Sequence, residues 1–203
     1  MSVPAARRDV VLVDSGGTNI GSVRYALQRL AVDAELSADP IRIRQATHVI
    51  LPGVGAAAPG MARLRAARLV DVLRSLTQPL LGVCLGMQLL FERSAESGTE
   101  CLGLLPGEVR HFAQRDGLRV PHMGWNELSV ERDDPLVAGI GAAPYAYFVH
   151  SYAAPCGAAT LASTDYGGPF SAVVRSGNIC GMQFHPERSA AVGARLLSNF
   201  LEL

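Results

Sequence analysis

The sequence predicts an α/β fold of three layers, with helices on both faces of a mixed, mainly parallel central sheet. Three observations carry this. In the first half of the chain, short apolar runs alternate with segments of helical periodicity, the pattern of parallel strands joined by crossover helices. In the second half, short apolar runs follow one another across Gly- and Pro-bearing turns, as antiparallel neighbours do. Finally, 49% of the 203 residues are hydrophobic and the formal net charge is zero, enough apolar surface for one sizeable core and no charge excess to oppose it. One domain spanning residues 1–203 is expected.

The elements follow in order. Residues 10–14 form a short apolar run that ends in Ser15-Gly16-Gly17, a strand leading into a turn. Residues 19–30 read as a helix, because Val23, Ala26, Leu27 and Leu30 recur at intervals of three and four. Residues 48–51 are a buried strand, stopped by Pro52-Gly53-Val54-Gly55. Residues 61–76 read as one helix, with Leu64, Leu69, Val72, Leu73 and Leu76 on or near one face. Residues 80–83 are a third strand, continued by a helix over 85–93. Strands are then expected over 108–112, 127–130, 145–152, 160–164, 171–175 and 179–184, and a closing amphipathic helix over 188–201.

Composition excludes several classes. Lys+Arg and Asp+Glu both number 18, so bulk positive charge for nucleic acid is missing. The apolar run before Asp14 is too short for a secretory signal. No stretch reaches the ~20 uninterrupted apolar residues of a spanning helix. The protein is therefore expected to be soluble and cytoplasmic. The cysteines Cys84, Cys101, Cys156 and Cys180 form no C-x-x-C pair and no zinc spacing with histidine, so no metal site is expected.

The chemistry concentrates at Gly82-Val83-Cys84-Leu85-Gly86. A cysteine between two glycines, at a strand end and just before a helix, has the pattern of a nucleophile elbow with sulfur in place of oxygen. The helix N-terminus favours the thiolate and offers free N–H groups to an oxyanion. The same pentapeptide also suits a small residue packed at a strand–helix junction. A nucleophile needs a base, and His185-Pro186-Glu187 follows the apolar strand over 179–184. Strand periodicity would place His185 and Glu187 on one face, where the carboxylate can orient and stabilise the imidazole. The other histidines have no adjacent carboxylate, and a structural or interface role is expected for each. Pro52-Gly53-Val54-Gly55 also follows a strand, so it belongs at the same carboxyl edge of the sheet as Cys84. Backbone N–H groups of Gly53 and Val54 could then complete an oxyanion hole with that of Leu85.

Together, the cysteine elbow, the His-Pro-Glu triplet and the glycine loop resemble the class I glutamine amidotransferases over nearly the whole chain. Pro121-His122-Met123-Gly124-Trp125-Asn126 and Tyr147-Phe148-Val149-His150-Ser151-Tyr152 narrow the resemblance to glutaminase subunits of imidazole glycerol phosphate synthases. The resemblance implies a flavodoxin-like fold and hydrolysis of glutamine through a thioester on Cys84. In it His185 is the acid and base, and Glu187 its orienter. It implies substrate contacts from Gln88, Glu96, Ser151 and Tyr152, and no cofactor. It implies a (β/α)8-barrel cyclase as partner in a heterodimer, with ammonia passing near Tyr147 and Arg188 and with Met123, Trp125 and Asn126 at the interface. Met123 and Trp125 are expected in a Gly-containing loop. Two features depart from the family pattern. After the first strand the chain reads Asp14-Ser15-Gly16-Gly17-Thr18-Asn19, retaining Asn19 but not the usual tyrosine and one of the glycines, and the loop after Gly55 is Ala-rich. A glutaminase of another class I synthase, a stand-alone cysteine hydrolase and a non-catalytic binding module remain the competing readings.

Overall fold

A computed structural model describes residues 8–14, 20–113 and 115–203. The departures at Ser15 to Asn19 therefore lie outside the described residues. The elements run β1 (Val10–Val13), α1 (Ile20–Arg29), β2 (Ala34–Ser37), α2 (Pro40–Gln45), β3 (His48–Gly53), α3 (Ala57–Ala66), α4 (Val70–Arg74), β4 (Leu80–Cys84), α5 (Leu85–Leu90), β5 (Phe91–Ser94), β6 (Thr99–Glu100), β7 (Leu105–His111), β8 (His122–Glu127), β9 (Ser129–Val130), β10 (Tyr145–His150), β11 (Tyr152–Ala153), β12 (Thr160–Asp165), β13 (Pro169–Ser176), β14 (Ile179–Met182) and α6 (Ala190–Phe200).

The central sheet has the order β2-β1-β3-β4-β14-β13-β12-β9. Its first five strands are parallel, and the last three add on antiparallel. Strand alternation builds the three layers. Val10 and Leu12 point to one face, where α1 and α6 bring Val23, Leu27, Leu196 and Phe200. Val11 and Val13 point to the other, where Ile43, Met61, Leu64 and Leu73 pack. Both faces of β1, β3 and β4 are thus covered, which is why these strands read as continuous apolar runs. Smaller sheets, β11-β7-β5-β6 and the ribbon β10-β8, stand beside the main one. Among the described residues no helix is long and apolar enough to cross a membrane.

The fold class is the expected one, and four local expectations are corrected. The helix expected over 61–76 is two helices. After α3 the Leu69 N–H reaches the Leu64 carbonyl and Arg68 takes φ 57°, a left-handed closure that breaks the helical path. The helix expected over 85–93 stops at Leu90, because Phe91 turns extended and joins a strand that pairs with β7. The elements β2 and α2 were not expected. The segment carrying Met123 and Trp125 is a strand, not a loop, paired residue for residue with β10.

Candidate active site

The strand–helix junction at Cys84 is tight. Cys84 has φ 54° and ψ −113°, a region that non-glycine residues avoid unless the surroundings impose it. Its neighbours explain how this is tolerated. A Cβ on Gly82 would lie 2.6 Å from the Gly86 carbonyl oxygen, and one on Gly86 would lie 1.8 Å from that of Leu51. Only glycines let α5 leave β4 so sharply and press against β3.

Three adjacent parallel strands deliver the other components to this carboxyl edge. Gly53, the last residue of β3, stands directly across from Cys84. On the other side, β14 pairs with β4 up to Met182 opposite Val83, and the chain then runs on to His185. The His185 N–H donates to the Tyr147 carbonyl at 2.9 Å, fixing the backbone there. Glu187 reaches His185, but not by strand alternation as expected. Pro186–Arg188 is a 3-10 turn, and this turn brings Glu187 Oε1 to 2.9 Å from His185 Nδ1. Packing of α6 on the turn is close, since a Cβ on Gly193 would fall 2.0 Å from the Pro186 carbonyl oxygen. Both side chains are nearly inaccessible.

With Nδ1 held by Glu187, His185 also hydrogen-bonds Cys84. Burial alone would push this imidazole down. Its hydrogen bonds to Cys84 and Glu187, and their charges, outweigh burial and raise it to about 10. The two partners thus favour the protonated form of His185, a proton donor placed beside the sulfur.

Cys84 and His185 open on a cavity of about 310 Å³ lined also by Val54, Gly55, Leu85, Gln88, Glu96, Pro121, Val149, His150, Ser151 and Tyr152. Of the expected substrate and oxyanion residues, only Gly53 lies outside this lining. Gln88 is one helical turn beyond Cys84. Its Nε2 donates to the Tyr152 carbonyl at 2.8 Å and to Gln183 Oε1 at 3.1 Å. Glu96 Oε2 accepts from the Ala57 N–H at 2.6 Å, satisfying one donor in the first turn of α3, whose own N-cap residue, Ala56, makes no side-chain cap. Glu96 thus ties the turn that carries it to the helix that follows the Gly53–Val54 loop. A larger open groove, lined by Val130 and residues 133–135 and 137–141, contains no cysteine, serine or histidine.

The β8–β10 ribbon sorts the remaining residues by alternation. Met123 and Trp125 stand on its outward face, 63% and 53% exposed. Tyr147 shares that face, edge-on to Trp125 at 5.9 Å, and carries the Arg188 guanidinium 4.4 Å above its ring. Asn126 is on the opposite face: its Nδ2 donates to the Asp165 carbonyl and approaches His122 Nε2 at 3.3 Å. Sequence reasoning passed over Gln183, which is fully buried against Gln88, and the pairing of His122 with His150. Gln183 lay within reach, two residues before His185 on a strand leading into the site.

Comparison with known proteins agrees with this architecture. Residues 11–203 match the family model for glutamine amidotransferase class-I. The imidazole glycerol phosphate synthase subunit HisH of Xanthomonas axonopodis pv. citri is 60% identical over 195 residues, covering 96% of this chain and 98% of the relative. That of Xylella fastidiosa strain Temecula1 is 55% identical over the same share of both chains. A crystal structure of a glutamine amidotransferase superposes with a TM-score of 0.74 at 24% identity, covering 95% of this chain and 97% of the other. The PurLQS structure from Thermotoga maritima gives 0.70 at 20%, covering 96% and 98%. The chain belongs to the class I glutamine amidotransferase family.

Proposed function

We propose that the chain is the glutaminase subunit of an imidazole glycerol phosphate synthase, acting as one cytoplasmic unit over its length. The observation that carries this reading is Cys84 hydrogen-bonded to a His185 that Glu187 holds, at the mouth of a cavity lined by Val54, Leu85, Gln88 and Glu96.

The chemistry follows from that arrangement. Cys84 Sγ attacks the side-chain carbonyl carbon of glutamine, and the C=O electrons move to oxygen. Backbone N–H groups of Leu85 and of the Gly53–Val54 loop hold the oxyanion; one such donor is worth roughly 10²–10³ in rate. His185 gives its Nε2 proton to the leaving nitrogen, and the C–N bond breaks to release ammonia and leave a γ-glutamyl thioester. The now neutral His185 takes a proton from water, whose oxygen attacks the thioester; collapse frees glutamate and the thiolate. Proton transfer of this kind contributes about 10²–10⁴-fold.

Ammonia freed into neutral water becomes ammonium and loses its nucleophilicity, so delivery requires a docked acceptor enzyme. The partner is a (β/α)8-barrel cyclase, which forms imidazole glycerol phosphate and AICAR for histidine biosynthesis. It docks on the outward ribbon face, where Met123 and Trp125 supply the exposed apolar anchors and Tyr147 and Arg188 flank the ammonia exit. The test is partner dependence: glutamine hydrolysis rises by orders of magnitude when cyclase and its nucleotide substrate are added. Full activity of the free chain would favour a stand-alone hydrolase.

A pH profile probes Glu187. Because its hydrogen bond and charge help to raise His185, the imidazolium persists below that raised value and is lost as pH rises through it. Glu187→Gln removes the charge, so the alkaline limb of the glutaminase profile is expected to move to lower pH, measured in complex with the cyclase. An unmoved limb would show that Glu187 does not govern the protonation of His185.

A further inference from the structure

His122 and His150 oppose each other across the β8–β10 ribbon, both buried. Their hydrogen bonds form a chain whose direction is dictated at each end. The Tyr152 carbonyl can only accept, so His150 Nδ1, 2.8 Å away, carries a hydrogen. Burial pushes His150 down to about 3 and His122 to about 4, so both rings are neutral at pH 7. A neutral His150 that donates from Nδ1 must accept at Nε2, and the atom 3.1 Å from Nε2 is His122 Nδ1. His122 therefore also carries its hydrogen on Nδ1 and accepts at Nε2. The donor there is Asn126 Nδ2, whose orientation is set independently, since Asn126 Oδ1 accepts from the Glu127 N–H at 2.8 Å. Each donor meets an acceptor, with no freedom to reverse a link.

The far end of the chain is in the cavity. The Tyr152 carbonyl that His150 anchors is the one that receives Gln88 Nε2, and the other Gln88 N–H goes to Gln183 Oε1. With both N–H groups engaged, Gln88 has only its Oε1 to offer a ligand, an acceptor suited to an ammonium or amide N–H. We infer that His122 and His150, each in the Nδ1–H form, are positioning residues that lock the Tyr152 carbonyl and through it the Gln88 side chain, so that Gln88 faces substrate as an acceptor. This deepens the glutaminase reading and rests on it.

The alternative is that the pair only fills space, since His122 is stacked between Phe148, with centroids 4.8 Å apart, and Tyr166, at 4.0 Å. Two variants separate these roles. His122→Phe keeps the stack and removes the donor to His150. His122→Asn loses the stack and keeps an N–H near the place of Nδ1. In complex with the cyclase, His122→Phe is expected to raise the KM for glutamine about tenfold with little change in kcat, as for loss of a buried hydrogen bond. His122→Asn is expected to restore most of it. An unchanged KM in His122→Phe, or a worse defect in His122→Asn, would overturn the proposal. Nitrogen NMR of the ¹⁵N-histidine-labelled wild-type chain at pH 7 decides independently: both rings must show the neutral Nδ1–H tautomer, and an Nε2–H or cationic ring in either overturns it. Wild type that leaves glutamine untouched beside an active cyclase would instead refute the glutaminase reading, while the NMR result still judges the tautomers.

Discussion

Replacing Cys84 by alanine is expected to reduce glutamine hydrolysis at least about 10⁴-fold, because a nucleophile that works as a unit with its base leaves little behind when removed. The fold should survive. The substitution removes only the sulfur, which besides its link to His185 makes a weak hydrogen bond to the Val149 carbonyl at 3.9 Å. The unusual φ at Cys84 is imposed by the packing of Gly82 and Gly86, and alanine presents the same Cβ there. The purified complex with the cyclase should therefore still form, and it should still make imidazole glycerol phosphate when supplied with ammonium salts. The two assays must be run on the same preparation. Glutaminase activity near wild type would remove Cys84 from the mechanism. Loss of the ammonium-driven reaction as well would mean that the substitution damages the complex, and that delivery of ammonia is not what Cys84 contributes.

The parts of the site that could be read in the sequence are those made by neighbours in the chain. Cys84 between Gly82 and Gly86 is a local pattern, and its meaning depends only on a strand being followed by a helix. His185 and Glu187 were also legible, although by the wrong local geometry: a 3-10 turn, not strand alternation, joins them. What was not legible depends on register between distant segments. His122 meets His150 because β8 and β10 pair in one particular register, and nothing within either segment announces it. Asn126 turns inward for the same reason. Once the segment is known to be a strand, alternation from exposed Trp125 places Asn126 on the opposite face, but Gly124 made it read as a loop. Glu96 completes the first turn of α3 across a separation of 39 residues, a contact that no periodicity records. In the fold, the long buried runs of β1, β3 and β4 were plain. β2 was missed because only Ala34 in it is buried, and Leu36, although apolar, is exposed at the sheet edge.

Gly86→Ala tests how the elbow is held. Gly86 is the second residue of α5, where alanine would ordinarily improve a helix by ~1 kcal/mol. Here the added methyl would sit 1.8 Å from the Leu51 carbonyl oxygen and 2.9 Å from its carbon. Both are backbone atoms of β3, so no side-chain rotation relieves the contact; the strand and the helix must separate by more than 1 Å, on the scale of ordinary van der Waals contact. That separation breaks packing on the face formed by Leu51, Leu85 and Leu89. It also moves Gly53 relative to Cys84, which are direct partners across β3 and β4. We expect a loss of about 3 kcal/mol or more in stability, which for a chain of this size lowers Tm by roughly 6–12 °C. Glutamine hydrolysis should fall at least about tenfold even at temperatures where the variant is folded, because the loop and the sulfur no longer keep register. Gly21→Ala in α1 is the control: a Cβ there meets nothing within 4 Å. Helix propensity alone should then leave Tm unchanged or raise it slightly. Thermal unfolding of both variants, with glutaminase assays in complex with the cyclase, measures the contrast. If Gly86→Ala unfolds and turns over like Gly21→Ala, the close approach of α5 to β3 is not what sets the elbow, and the geometry of Cys84 must come from elsewhere in the sheet.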